Sequence, residues 1–269
     1  MNSTDPSPAP NTIPQAERID ELDRYYTPVG QLDDWISRIY WVSAFFSIAV
    51  LYKNQIPWPQ VQWVPEFLFA LSVILHVILS AYLRLNLFPL AESKRRQQLL
   101  SDSFGVPLIS EKTQKYYNND LSPSLTRLGA NILENALFAK TITAKMLDGE
   151  RKIILIYFTI WIFLWRGAEL GLVVAFTQFL FSSEIVGKWL RLELLRRENE
   201  KYYDELYHEF LHKIDLTDPI LVASILDKFA AYEVAKGMTG VRLSKTIFSA
   251  LNSQISAEWD SVRKKLGID

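Results

Sequence analysis

Four apolar runs, each nearly free of charge and grouped as two close pairs, constrain this chain more than any other feature. They are roughly Ile39 to Tyr52, Phe67 to Leu83, Ile153 to Trp165 and Leu170 to Ser183. A helix rises ~1.5 Å per residue and a bilayer core is ~30 Å thick, so only the second run approaches a crossing unaided. The others draw on their flanks, where Trp35, Trp41, Trp58, Trp63, Trp161, Trp165 and Trp189 suit the headgroup level. Long basic side chains there can snorkel. The net charge of −1 and mean hydropathy of +0.04 average two populations, since charge crowds into residues 15–38, 92–152 and 184–269.

The placement of lysine and arginine sets the expected topology. Arg84, Lys94, Arg95 and Arg96 follow the second run, Lys140, Lys145, Arg151 and Lys152 precede the third, and Lys188, Arg191, Arg196, Arg197 and Lys201 follow the fourth. The connector 54–65 has no basic residue beyond Lys53 at its edge. The positive-inside rule therefore puts the basic segments and both termini in the cytosol, with the two connectors outside. One long tilted helix over residues 153–190 would bury Arg166 and Glu169 in lipid and leave one basic cluster outside. A hairpin turning at Arg166–Glu169 avoids both costs.

The expected fold class is an all-α membrane protein with four transmembrane helices in two hairpins and a helical cytosolic domain. Residues 1–14 read as a disordered tail rather than a signal peptide, because they have neither a basic start nor an apolar core. Residues 15–34 then form a cytosolic helix, 35–91 the first hairpin, 92–150 a cytosolic helical linker, 151–190 the second hairpin and 191–269 a cytosolic helical domain. Ser122 with Pro123 starts a helix whose face Leu125, Leu128, Ile132, Leu133, Ala136 and Leu137 runs to Gly149. The fourth span continues as a charged helix to about Ile214 with a seam of Tyr203, Leu206, Phe210 and Ile214. Asp218 and Pro219 open another helix that Gly237 to Gly240 ends, and a last one carries Ile247, Phe248, Leu251, Ile255, Trp259, Val262 and Leu266 on one face.

Two groups of residues carry candidate function. Ser72, His76, Ser80 and Arg84 recur every four residues on the second span and share a drifting stripe, with Ser43 and Ser47 on the first span and Thr177 and Gln178 on the fourth as possible companions. In hydrocarbon such a stripe faces either a pore or a neighbouring helix, and both readings stand. In the middle loop, FGVP at Phe104–Pro107 precedes Tyr116, Tyr117, Asn118, Asn119 and Asp120, and Arg127, Asn131 and Asn135 follow on a helix. Adjacent aromatics beside small polar side chains suit a base or sugar, and they equally suit a turn before a helix.

Enzymatic chemistry lacks a signature. The chain has no phosphate-cradling glycine loop and no nucleophile elbow. It has no cysteine, hence no disulfide or thiolate metal site, and only three histidines. His208 and His212 are four apart on a charged helix without an HExxH pattern, so no metal and no cofactor is expected.

In its span layout, the loop string FGVPLISEKTQKYYNND and the following RLGANILENALF, the chain resembles the four-transmembrane pore-forming effectors of bacterial antiphage systems, encoded beside nucleotidyltransferases. The resemblance covers roughly residues 15–269. It implies an inner-membrane homo-oligomer, a tetramer by expectation, that conducts ions when a nucleotide or oligonucleotide signal reaches its cytosolic domain. Ser43, Ser47, Ser72, His76, Ser80 and Arg84 would then line the pore. Tyr116, Tyr117, Asn118, Asn119, Asp120, Arg127, Asn131 and Asn135 would serve ligand binding or gating. The competing reading is a non-conducting anchor that recruits a cytosolic partner through its C-terminal helices. A secondary transporter is disfavoured, because the runs lack the discontinuous helices such proteins use.

Overall fold

Local sequence chemistry decides where each helix starts and stops. The computed structural model describes residues 19–111, 113–114, 116–164, 172–212 and 218–268. Helix α1, Asp23–Leu51, begins with an aspartate in its first turn, where the helix dipole favours a negative charge. Helix α2, Val64–Tyr82, starts with Pro65 and Glu66 in the same favourable places. It passes through a π-helical turn at Leu83–Leu87 into α3, Phe88–Phe104, which Gly105 ends at φ 64°. Helices α4, Leu125–Leu164, and α5, Leu172–Leu211, are 40 residues each. Helix α6, Pro219–Thr239, is capped by Asp218, which accepts from the Ile220 amide at 2.8 Å. Helix α7, Lys245–Leu266, is capped by Ser244 through the Ile247 amide at 3.3 Å.

Several expected boundaries move. Helix α4 begins after Ser124, not Ser122, because the Ser124 hydroxyl is the one that accepts from the Arg127 amide, at 3.2 Å. It runs straight through Gly149, whose missing side chain faces open space, so the residue carries only the modest entropic penalty of a helical glycine. Helix α6 likewise passes Gly237 and stops at Gly240, where φ is 55°. The all-α expectation holds apart from a two-residue antiparallel bridge between β1, Ile19–Asp20, and β2, Thr113–Gln114. Beside it the buried Glu111 accepts from the Tyr25 hydroxyl at 2.5 Å and pairs with Arg24, fastening the start of α1 to the middle loop.

The helices pack as two antiparallel pairs, α1 on α2 and α4 on α5. Gly129 of α4 faces Phe210 of α5 while Glu150 meets Lys188 at 2.6 Å, so α5 partners fall in residue number as α4 residues rise, the antiparallel order. The turn expected at Arg166–Glu169, Thr177 and Gln178 as side chains, Ile214 and the tail 1–14 all lie outside the described residues. Three apolar clusters result. The largest gathers Leu128, Leu133, Leu137, Leu206, Ile255 and Trp259 from α4, α5 and α7, with α6 against it. A second joins Val50, Phe69, Val73, Tyr157 and Ile185. A third clasps the π turn, with Val29 and Ile36 of α1 against Leu83, Phe88 and Ala91.

The seam expected for a partner is internal: Leu206 is fully buried, and Tyr203 and Phe210 pack on the large cluster. Outside the clusters lies an apolar belt. Trp41 and Phe45 on α1, Phe67, Leu71, Ile74 and Ile78 on α2, and Leu155, Ile156 and Ile162 on α4 all face outward. Among the described residues one helix, Pro59–Phe104, is long and apolar enough to cross a membrane, and only 28% of its most apolar stretch is buried. A core helix of a water-soluble domain hides such a stretch; this one displays it.

Trp259 is fully buried and its indole N–H donates to the Asn118 carbonyl at 3.2 Å. Trp259→Ala should therefore destabilise the fold by about 3–5 kcal/mol. The exposed Val234→Ala should stay within about 0.5 kcal/mol. Thermal unfolding of the detergent-solubilised protein, followed by circular dichroism, compares the two.

Candidate functional site

The first half of α1, α3, the middle of α4, α6, the start of α7 and the loop at Tyr116 to Asn118 enclose a cavity of about 780 Å³. Its wall mixes acids (Asp23, Asp34, Glu92, Glu134, Glu233) with bases (Arg95, Lys236, Arg242, Lys245) and adds Tyr26, Tyr116, Tyr232 and Phe248. Such a space admits a polar ligand carrying both a ring and a charged group.

The loop residues singled out in the sequence divide. Tyr116, Tyr117, Asn118 and Asn135 reach the cavity. Asn118 is held by Glu134, which accepts from its amide at 3.1 Å and its side-chain nitrogen at 2.7 Å. Asn135 donates to the Tyr117 hydroxyl at 3.2 Å, and burial pushes the Tyr117 phenol well above its usual range. Asn119, Asp120, Arg127 and Asn131 do not line the cavity. Arg127 grips Asp102 at 3.0 and 3.2 Å and donates to the Leu121 carbonyl at 2.9 Å. The fully buried Asn131 donates to Asp102 and Ser103, both at 3.0 Å, and accepts from Asn119 at 2.8 Å. Adjacency in the sequence grouped these residues. The extended loop sends Asn119 into the α3–α4 interface, where Asn119, Asn131 and Arg127 bond to one another or to Asp102 and Ser103, while Asp120 stays exposed.

At the centre of the cavity wall lies a cluster the sequence did not disclose. Lys236 of α6 sits 2.5 Å from Glu92 of α3 and 3.5 Å from Glu233. Tyr26 of α1 donates to the other oxygen of Glu92 at 2.8 Å. Burial alone would lower the Lys236 pKa, but Glu92, Tyr232 and Glu233 outweigh it and hold the ammonium well above its ordinary value. Burial raises the Glu233 carboxyl, with Lys236 and Arg96 opposing. The Arg95 guanidinium stacks on Tyr116 at 4.5 Å and on Tyr26 at 5.3 Å. Glu233 and Lys236 are three apart on one helix, a visible pairing signal. Tyr26 and Glu92 had no such signal, because their partners come from other helices.

In the apolar belt, the polar stripe of α2 faces α1. Ser43, Ser47, Ser72, His76 and Ser80 are all buried, and Ser43 donates to Ser72 at 2.9 Å. The Tyr40 ring lies 6.0 Å from His76. Within the subunit the stripe is thus a closed seam between two helices, the arrangement in which each hydroxyl finds a protein acceptor. Arg84 stands in the π turn, and its side chain lies against Gly240 at the end of α6.

Comparison with known proteins finds no matching family model, no similar curated protein and no similar solved structure.

Asn131→Leu leaves Asp102, Ser103 and Asn119 without a shared partner, so it should lower stability by about 1–3 kcal/mol. Tyr116→Phe, which keeps the ring under Arg95 and on the core, should leave the melting temperature nearly unchanged. Parallel melting curves separate the structural half of the loop from the cavity half.

Proposed function

We propose that this chain is a membrane effector with four spans and both termini cytosolic, which oligomerises into an ion-conducting pore gated by a nucleotide or oligonucleotide in the cytosolic cavity. One observation carries the reading: the helices that wall the cavity continue without a break into the apolar belt. Helix α1 presents Tyr26 and Gly30 to the cavity and Phe45 to the outside. Helix α3 presents Glu92 and Arg95, and is one rod with α2. Helix α4 presents Glu134 and Asn135, then Leu155 and Ile162. A change of shape at the cavity is therefore transmitted along the spans themselves.

The chemistry of the wall supports a nucleotide. Tyr116 offers a ring face, Asn118, Asn135 and Glu134 offer donors and acceptors for a base, and Arg95, Arg242 and Lys245 offer cations for phosphate. Four short helices give one subunit no room for a water path, so conduction requires several copies around an axis along the membrane normal. The seam of Ser43, Ser47, Ser72, His76 and Ser80 supplies the polar track, and it meets water when α1 and α2 part. The anchor alternative finds less support, since Tyr203, Leu206 and Phe210 pack within the subunit and leave less apolar surface for a partner.

The test is ion flux from liposomes carrying the purified protein, with ribonucleoside monophosphates and their linked dinucleotides added outside. Flux should appear with one of them and be reduced by Tyr116→Ala. Flux with none, in protein that elutes as an oligomer, would leave the anchor. Because the chain has no cysteine, Glu21→Cys and Gly267→Cys provide single labelling sites. An impermeant maleimide should reach both from the same face of the membrane; opposite faces would remove the topology.

A further inference from the structure

The π turn at Leu83–Leu87 breaks the hydrogen-bond register of an otherwise continuous rod at the point where α2 leaves the apolar belt. Such turns are weak points where a helix can bend or rotate, and they recur at functional places. Two contacts from the last turns of α6 land on either side of it. Gly240 packs on Arg84 inside the turn, and Lys236 holds Glu92 one turn beyond. Helix α6 is itself bound to α5, through Lys228 with Glu205 at 2.9 Å and Tyr202 donating to the Ala231 carbonyl at 3.2 Å. The rod is thus fastened below its weak point to a fixed neighbour, and Tyr26 adds α1 to the same knot.

We propose that the Glu92–Lys236 pair, with Tyr26, is a latch that holds the α2–α3 rod in its resting position, and that an anionic group in the cavity releases it by replacing Glu92 on Lys236. This regulation rests on the gated-pore reading above. The exchange is feasible because the pair lies on the cavity wall. Breaking a buried ion pair outright leaves a charge uncompensated, which is strongly unfavourable. A phosphate oxygen that takes the place of the Glu92 carboxylate keeps Lys236 paired, and the freed Glu92 turns with α3 toward water. An occupant that binds the released state better shifts the population toward it. The α3–α6 seam then opens, the π turn yields, and α2 moves against α1.

The test uses the full-length protein with spin labels at Leu90→Cys and Met238→Cys, both exposed, one on each side of the seam. Glu92→Gln keeps shape and removes the ion pair, leaving at most a weaker neutral-acceptor hydrogen bond from Lys236. Lys236→Met leaves Glu92 and Glu233 facing each other without their shared ammonium, with Arg96 still 4.0 Å from Glu233. Both variants should lengthen the Leu90–Met238 distance by about 2 Å or more, the scale of known helix shifts, Lys236→Met the more. Both should also raise nucleotide-independent flux from liposomes. Unchanged distances in Glu92→Gln, in protein with wild-type helicity and elution, would overturn the latch whether or not the protein conducts. Lengthened distances without flux would keep the latch and remove the pore.

Discussion

The architecture depends on helices that change character along one rod, with apolar side chains buried over one stretch and turned outward over the next. A 40-residue helix is ~60 Å long, and a bilayer core accepts ~30 Å of it. On the four-span reading proposed above, the surplus of α4 and α5 emerges into water, where the two helices share a core of their own. That core is the large cluster around Leu133, Leu206 and Trp259. The division is visible in the side chains: buried leucines over one part of the rods, and outward Phe45, Ile78 and Leu155 over the other. Burial is thus inverted between the two halves of the same helix.

The same constraint explains which parts were legible in the sequence. Helix existence followed from periodicity and caps, as for Asp218 before α6 and the apolar face of α7. The antiparallel packing of α4 on α5 agrees with basic clusters before the third run and after the fourth, and the pairs Lys188–Glu150 and Arg151–Glu193 join those two clusters. Details set by single hydrogen bonds were less legible, such as whether Ser122 or Ser124 caps α4. The cavity was half legible. Tyr116, Tyr117, Asn118 and Asn135 drew attention by composition, but Asn119, Arg127 and Asn131 drew the same attention and serve the α3–α4 interface. Glu92 was hidden among basic neighbours that had already been explained by topology, and its partner lies on α6. No local pattern reports a contact between helices so far apart in the chain.

Buried charge is an odd choice for stability alone. A compact apolar group in place of Glu92 and Lys236 could pack as well without removing two ions from water. What an ion knot provides is geometry: Lys236 accepts only oxygen partners at close range, so α1, α3 and α6 meet in one register. It also provides exchangeability. Apolar packing resists a polar ligand, whereas a carboxylate on an ammonium can be replaced by another anion with little net change in solvation.

The seam between α1 and α2 has the complementary property. Ser43, Ser47, Ser72 and Ser80 are small enough to let the two helices approach closely, and the hydroxyls of Ser43, Ser47 and Ser72 are satisfied by each other or by backbone carbonyls one turn back, such as Ser72 donating to the Phe69 carbonyl at 2.8 Å. Close approach makes the closed seam dense and water-free. Water satisfies the same hydroxyls, so an opened seam strands few polar groups, unlike the parting of two leucine faces. In the proposed gating, a closed state held by packing and an open state held by hydration lie close in free energy, so that a bias applied at the π turn chooses between them.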